Sequence, residues 1–485
     1  MQQSQEFFDI LISGGTIIDG TRAPRYDADI GVREGRIAAV GKLAGSAALQ
    51  TISAHGRIVA PGFIDAHTHD DQALLAQPDM RYKVSQGVTT VIGGNCGISA
   101  APLRDGLDLP MPLNLLDTPA SGRFPSFSAY IDAVRAAPPS VNVAAMVGHT
   151  TLRALHMTRL DRPANPVEIA AMRHEVDLAL QAGAIGLSTG TFYPPAAAAT
   201  AQEIIEIARP LSSRKAVYAT HMRDESDQVI QALEETFSIG RELGVPVVLS
   251  HHKLLGPQNF GKSSLTLPLI QHAMKHQCVA LDCYPYTAGS TMIRTDRGML
   301  DSRVLIASSQ PHPECAGRDL ADIATEWGVT QTEAAQRLQP GSAIYFMMDE
   351  HDVQRIMAFD ETMIGSDGIP LGEKPHPRLW GTFPRVLGHY SRDIGLFPLE
   401  TAVWKMSGLT ARNFGLKGRG TLAVGNYADV VIFDASSICD TATYEEPTRT
   451  ARGIECVLVN GVVTWRSGRH CGARCGQFIT RVDTH

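Results

Sequence analysis

The segment PGFIDAHTHDD places His67 and His69 on either side of Thr68. In an extended strand successive side chains alternate between faces, so two histidines one residue apart can both offer a ring nitrogen to one metal ion. Alone the pair means little, because a histidine is as readily a hydrogen-bonded core or surface residue. Its companions add weight: Cys96, His221, His251 and Asp367 each close an apolar run, in TTVIGGNC, AVYATHM, PVVLSHHK and ETMIGSD. A thiolate, imidazoles and a carboxylate form the donor set that zinc prefers. Zinc lowers the pKa of a bound water towards about 7, and a carboxylate beside it can take a proton as an amide carbonyl is attacked. Asp367 is the candidate base. It could return the proton to the departing amine while the metal stabilises the oxyanion. Read singly, Cys96 is a small buried hydrophobe and Asp367, in GSDG, a turn residue.

The elements that would position these residues are legible as periodic apolar runs. Strands are expected at GRIVAPGFIDAH, TTVIGGNC, VNVAAMVGH, AIGLSTG, AVYATHM, PVVLSHHK, VALDCYPY and ETMIGSD, with amphipathic stretches such as NPVEIAAMRHEVDLALQAG between them. Eight near-continuously apolar strands alternating with helices predict an α/β fold, a (β/α)8 TIM-like barrel. Every candidate ligand then falls at the strand end where a barrel places its active site. Residues 287–345 are too long for a simple loop after the seventh strand and predict a lid-like insertion. Residues 8–59 read as short strands with a turn at Glu34-Gly35, and the C-terminal stretch repeats the style, with Asn460-Gly461 as a hairpin turn. Both termini are expected to share a small β-sandwich, residues 1–60 and 415–485, around a barrel at 61–414.

Composition narrows the function classes. The chain has 485 residues, 44% of them hydrophobic, and a net charge of -7. It can build a large core and has no basic surplus for a phosphate backbone, which argues for a small-molecule substrate over nucleic acid. The N-terminal residues show neither a basic nor a long apolar region, and no apolar stretch reaches eighteen residues, so a cytoplasmic chain without membrane contact is expected. Eight cysteines in this length form no dense disulfide framework. His470, Cys471 and Cys475 invite a second zinc reading, but a fourth ligand is missing and the spacing is atypical.

The run G-x-I-V-A-P-G-F-I-D-x-H-T-H, the histidines after strands five and six, and the aspartate in GSDG resemble the amidohydrolase superfamily. GGNCGIS, STGTFYPP, THMRDES and HHK resemble its D-aminoacylase (N-acyl-D-amino-acid deacylase) branch. Many superfamily members bridge two metals with a carboxylated lysine. Here the lysines between His69 and His221 are only Lys83, in a helical stretch, and Lys215, at the wrong end of the fifth strand. Cys96 is the natural substitute, and the resemblance implies the same. It further implies zinc-dependent hydrolysis of N-acyl-D-amino acids, with one ion held tightly by Cys96, His221 and His251. A second, weaker position would be bordered by His67, His69 and Asp367, so that losing His67 costs less zinc than losing His221.

A substrate α-carboxylate needs a cationic partner, and the rim offers Lys253 and Arg378. Tyr284 and Ser290 could add hydroxyl donors. Phe192, Tyr193, Leu300, Tyr345 and Met348 could wall a pocket for an apolar side chain, although core packing explains such residues equally well. His149, at the end of the third strand, and His252 are read as core or supporting histidines. The alternatives are another amidohydrolase, such as a cyclic-amide hydrolase or unusual dipeptidase, and a non-catalytic scaffold. The sequence leaves open the oligomeric state and the number of metals in the active form.

Overall fold

The structure, a computed structural model, describes residues 7–115, 122–296, 298–372 and 374–480; the extreme ends of both terminal stretches and Arg297 of the insertion lie outside them. The barrel strands are β1 (Phe63–Asp65), β2 (Val88–Gly93), β3 (Asn142–Ala145), β4 (Gly186–Gly190), β5 (Val217–His221), β6 (Val247–Leu249), β7 (Val279–Cys283) and β8 (Thr362–Ile364). β3 continues after Met146 as the pair Val147–Gly148, which is the part that meets β4. All pairings are parallel, β1 through β3 on one side and β4 through β8 on the other. The ring closes where the amide of Ala66 donates to Ile364 O at 3.2 Å and Thr68 bridges Gly368. Ile64, Ile92, Ala144, Val248, Ala280 and Met363 pack into one cluster, which Leu409 and Phe414 join.

Local chemistry sets the surrounding helices. Pro166–Ala182 starts on Asn165, whose side chain accepts from Val167 N and Glu168 N while Glu168 reaches back to the Asn165 amide, a complete capping box. It buries Met172, Val176, Ala179 and Leu180 at helical spacing and stops at Gly183.

Three expectations about strands need correction. Ile58–Pro61 is no part of the first barrel strand; it pairs with Phe7–Ile17 and Val430–Phe433 instead. It closes on Pro61, which has no amide to donate, and Gly62 separates it from β1. β1 also ends at Asp65, before His67: the Asp65 carboxylate accepts the amides of His67 and Ser366, donors a continuing ladder would have used. His149 does not end a strand but opens the helix His149–His156 after Gly148.

Both chain ends contribute to one nine-stranded sheet, from Arg469–His470 through Val430–Phe433 and Phe7–Ile17 to Arg36–Gly41. Its core draws on Ile12, Ile30, Val59, Val430 and Leu458. The turns Glu34-Gly35 and Asn460-Gly461 have positive φ at both residues, as two-residue hairpins of matching twist require. Residues 289–345 form a unit of their own: Gly289–Met292, Gly341–Tyr345 and Val304–Ser309 make an antiparallel sheet in that order, backed by the helices Leu320–Trp327 and Gln331–Arg337. Their core is continuous with Cys96, Phe192 and Tyr193, so the insertion packs directly over the strand ends. No helix among the described residues is long and apolar enough to cross a membrane.

Candidate metal centre

Cys96, His251 and Asp367 follow β2, β6 and β8, and all three adopt left-handed backbone, with φ of 54°, 36° and 48°. Each such residue costs on the order of 1–3 kcal/mol and persists only where its surroundings fix it. For Cys96 the fixing is visible in GGNCG. Gly94 has φ +72°, and a Cβ there would lie 1.9 Å from Met146 O. The Gly94 amide donates to Asp71 Oδ2 at 3.2 Å and that of Gly97 to Ser188 Oγ at 2.9 Å. The His251 amide donates to Asp282 Oδ1 at 3.0 Å, and the Asp367 amide to His67 O at 2.8 Å.

These turns bring six side chains from five strand ends into one buried cluster. Cys96 Sγ is 3.2 Å from His67 Nε2 and 3.3 Å from His251 Nε2. Asp367 Oδ1 lies 3.2 Å from His69 Nε2 and 3.5 Å from His67 Nε2. Three sets have donor atoms within 4.8 Å of one another: His67, His69 and Cys96; Cys96, His221 and His251; His67, His251 and Asp367. Cys96, His67 and His251 each belong to two of them, and Cys96 is the member common to the set with the two histidines after β1 and the set with the histidines after β5 and β6.

The polar atoms show that the cluster fits a cation. His221 Nδ1, His67 Nδ1 and His69 Nδ1 are buried without a hydrogen-bond partner, while His221 Nε2 faces the Glu225 carboxylate at 3.3 Å. Buried donors and acceptors are ordinarily satisfied, so orphans concentrated in one cluster of imidazoles call for a ligand. Burial pulls His67 and His221 down to about 3, against the neighbouring carboxylates, which keeps their lone pairs available. Burial, reinforced by Asp367, pushes the Cys96 thiol well up, so its thiolate needs a cation beside it. Burial also opposes ionisation of Asp367, but Arg378 with His251, His69 and His67 outweighs it and holds the carboxyl well below the usual carboxylate range.

Two carboxylates that the sequence reading passed over complete the surroundings. Glu225 lies 3.3 Å from His221 Nε2 and 3.1 Å from His251 Nδ1. Asp282 Oδ2 lies 3.5 Å from His67 Nδ1, and burial raises its carboxyl to about 7. Both had a signal: Glu225 is four residues beyond His221 in THMRDES, and Asp282 is in β7 beside the ligand-bearing strand ends.

A cavity opens over the cluster, lined among others by Phe192, Tyr193, Lys253, Tyr284, Ser290, Tyr345 and Asp367. The Phe192 ring stacks on His221 with centroids 4.7 Å apart. The Tyr345 hydroxyl is committed to the backbone, accepting from Arg294 N and donating to Met292 O, so the ring alone faces the cavity. Two side-chain expectations need correction. Leu300 packs within the insertion core and Met348 turns its sulfur to Tyr284 Oη at 3.6 Å; Met299 and Met347, one residue earlier in each loop, line the cavity instead. Lys253 lines the cavity, but its ammonium is spent on Glu225 Oε1, His251 Nδ1 and His251 O at 2.7, 2.7 and 2.9 Å. Arg378 is fully buried, 2.9 Å from Asp367 Oδ2 and stacked over the Tyr284 ring, with Nε and Nη1 unpartnered.

Other candidates do not join the site. His149 Nε2 meets Glu203 at 3.2 Å and His252 Nε2 meets Thr266 Oγ1 at 2.9 Å. Lys83 is buried against Asp65, and Lys215 caps the helix Ala201–Arg214 in an exposed position. The C-terminal trio does not converge: His470 pairs with Ser140, Cys475 with Val459 O, and Cys471 is exposed.

A parallel eight-stranded barrel with a buried cysteine, histidine and aspartate cluster at its strand ends defines the chain as a metal-dependent hydrolase. A model of the amidohydrolase family matches residues 50–258 and 303–465. The chain is 58% identical over 481 residues to a D-aminoacylase of Alcaligenes xylosoxydans xylosoxydans, covering 99% of each. A solved D-aminoacylase, described for one-metal activation and second-metal attenuation of its binuclear centre, superposes with a TM-score of 0.96 at 59% identity, over 98% of this chain and 100% of that one. The N-acyl-D-glutamate deacylase of Bordetella bronchiseptica, solved with zinc and a phosphonate mimic of the tetrahedral intermediate, superposes with 0.94 at 46% identity, over 98% and 100%. This chain belongs to the amidohydrolase family, in its D-aminoacylase branch.

Proposed function

We propose that the protein hydrolyses the N-acyl amide bond of N-acyl-D-amino acids with apolar side chains, releasing a carboxylate and a free D-amino acid. The observation that carries this reading is Asp367, which touches the histidine cluster on one side and Arg378 on the other from the wall of an otherwise largely apolar cavity. Cys96, His221 and His251 would hold one zinc ion, and His67, His69 and Asp367 would border a second position beside Cys96. When bound, zinc polarises the scissile carbonyl and makes water acidic enough to attack near neutral pH. Asp367, kept ionised by Arg378, accepts the proton of the attacking water and delivers it to the departing amine. Arg378 Nε and Nη1 and the hydroxyls of Tyr284 and Ser290 receive the substrate α-carboxylate, while Lys253 adds positive charge on the same wall. Phe192, Tyr193, Leu255, Met299, Tyr345 and Met347 exclude water and favour an apolar side chain, the two thioethers adapting to its shape. The preference for the D form rests on the likeness to D-aminoacylase. Eight unpaired cysteines suit a reducing compartment, and we place the protein in the cytoplasm.

Release of methionine or leucine from the N-acetyl-D form and not from the L form, with zinc supplied, is the expected result. Failure to turn over any N-acyl-D-amino acid, or equal turnover of both enantiomers, contradicts the reading.

A further inference from the structure

Behind the second metal position lies a buried charge cluster that the chemistry above does not use. Lys83 is fully buried on the short helix Arg81–Val84. Its ammonium donates to Asp65 Oδ2 at 2.7 Å and Ser366 Oγ at 2.9 Å, with Asp70 Oδ2 at 3.2 Å. Asp65 Oδ1 accepts from the amide of Ser366 at 2.7 Å and that of His67 at 3.3 Å. Ser366 Oγ accepts from the amide of Gly368 at 3.2 Å. The cluster therefore grips the chain at His67 after β1 and on both sides of Asp367 after β8. The ends of β5 and β6 are tied by Glu225, Lys253 and Asp282, of which only Asp282 also faces His67, at 3.5 Å from Nδ1.

We propose that Lys83, Asp65 and Ser366 are positioning residues, which fix where His67 and Asp367 stand and so set the strength of the second metal position and the aim of the base. A buried ammonium shared between carboxylates and a hydroxyl resists displacement, because any shift leaves a desolvated charge unmatched. Catalysis is sensitive to such shifts, since a misplacement of about 1 Å can cost about a hundredfold in rate. The inference rests on the deacylase reading of the site.

Ser366→Ala removes one hydroxyl and no charge; Lys83→Met removes the ammonium. Wild type and both variants would be stripped with a chelator and titrated with zinc, and with cadmium while thiolate-to-metal absorption is followed. Melting temperature and kinetics on N-acetyl-D-methionine would be measured in parallel. The expected result for Ser366→Ala is a first equivalent bound as in wild type with the Cys96 absorption intact, a second equivalent weakened about tenfold, and kcat lowered about tenfold with little change in KM. Lys83→Met should shift the same two quantities further; if it does not fold, Ser366→Ala decides alone. Unchanged second-site affinity and kcat in Ser366→Ala, equal weakening of both positions, or no second equivalent in wild type overturns the inference. If wild type lacks deacylase activity, the functional reading fails and the metal titrations still decide the positioning role.

Discussion

The two halves of the metal centre differ in what the protein already supplies to them. On the cysteine side, His221 lies under the stacked ring of Phe192 with Nδ1 buried without a partner and Nε2 3.3 Å from Glu225. On the carboxylate side, Asp367 is 3.2 Å from His69 and 2.9 Å from Arg378. An ion entering the first half meets two imidazoles backed by the buried Glu225 carboxylate. An ion entering the second must compete with a guanidinium for the same carboxylate, in a pocket that already carries that cation. If the proposed assignment holds, the cysteine side is the tighter position because the carboxylate side already carries a cation, although both halves offer histidines and lie against one sulfur.

The largest expected effect comes from removing what the halves share. Cys96→Ala should leave zinc substoichiometric and lower kcat/KM by about a thousandfold or more, because the tetrahedral donor set loses its thiolate; retention of zinc and activity in metal analysis and assay would break the bridging assignment. Asp367→Asn should keep the first zinc and lower kcat by about 10²–10⁴-fold, the usual range for a lost general base. Loss of the first zinc in this variant would mean that the halves are not separable. Arg378→Met sharpens the comparison from the other direction. Freed from a charged hydrogen bond of about 1.5–3 kcal/mol, Asp367 should bind the second ion about tenfold more tightly or better, while KM rises through loss of a carboxylate partner. Isothermal titration and kinetics read the two changes, and weaker second-site binding would contradict the competition.

The smallest effect lies outside both halves. Glu203 joins His149, the buried Arg153 and the amide of Ala164, and its carboxyl is lowered to about 2: burial opposes this, and the bonds to His149 and Ala164 with the charge of Arg153 outweigh it. A depressed acid stabilises the fold fully above its unfolded value near 4.5 and loses that contribution as pH falls towards about 2. Glu203→Gln should therefore flatten the acid limb of a melting-temperature profile without altering the ratio between the two metal positions.

What the sequence disclosed and what it hid follow the same physical division. The candidate residues at strand ends were legible because β-rich apolar runs stop near them and a barrel gathers those ends; His67, His69, Cys96, His221, His251 and Asp367 come together in one cluster there. Alternation along a strand was the wrong reason for His67 and His69, since β1 stops at Asp65, and only the Asp65 hydrogen bonds explain the turn. The roles of Lys83 and Ser366 were illegible because they come from regions 283 residues apart that meet only through closure between β1 and β8. In the insertion and in the segment after Tyr345, a one-residue phase error exchanged Leu300 for Met299 and Met348 for Met347, because irregular loops have no period from which to read a facing side.

The most direct test of the unequal halves is zinc content measured side by side in His67→Ala and His221→Ala after identical dialysis. About one retained equivalent is expected in His67→Ala and almost none in His221→Ala if three protein donors hold the tight ion. Equal loss in both variants, or greater loss from His67→Ala, would contradict this.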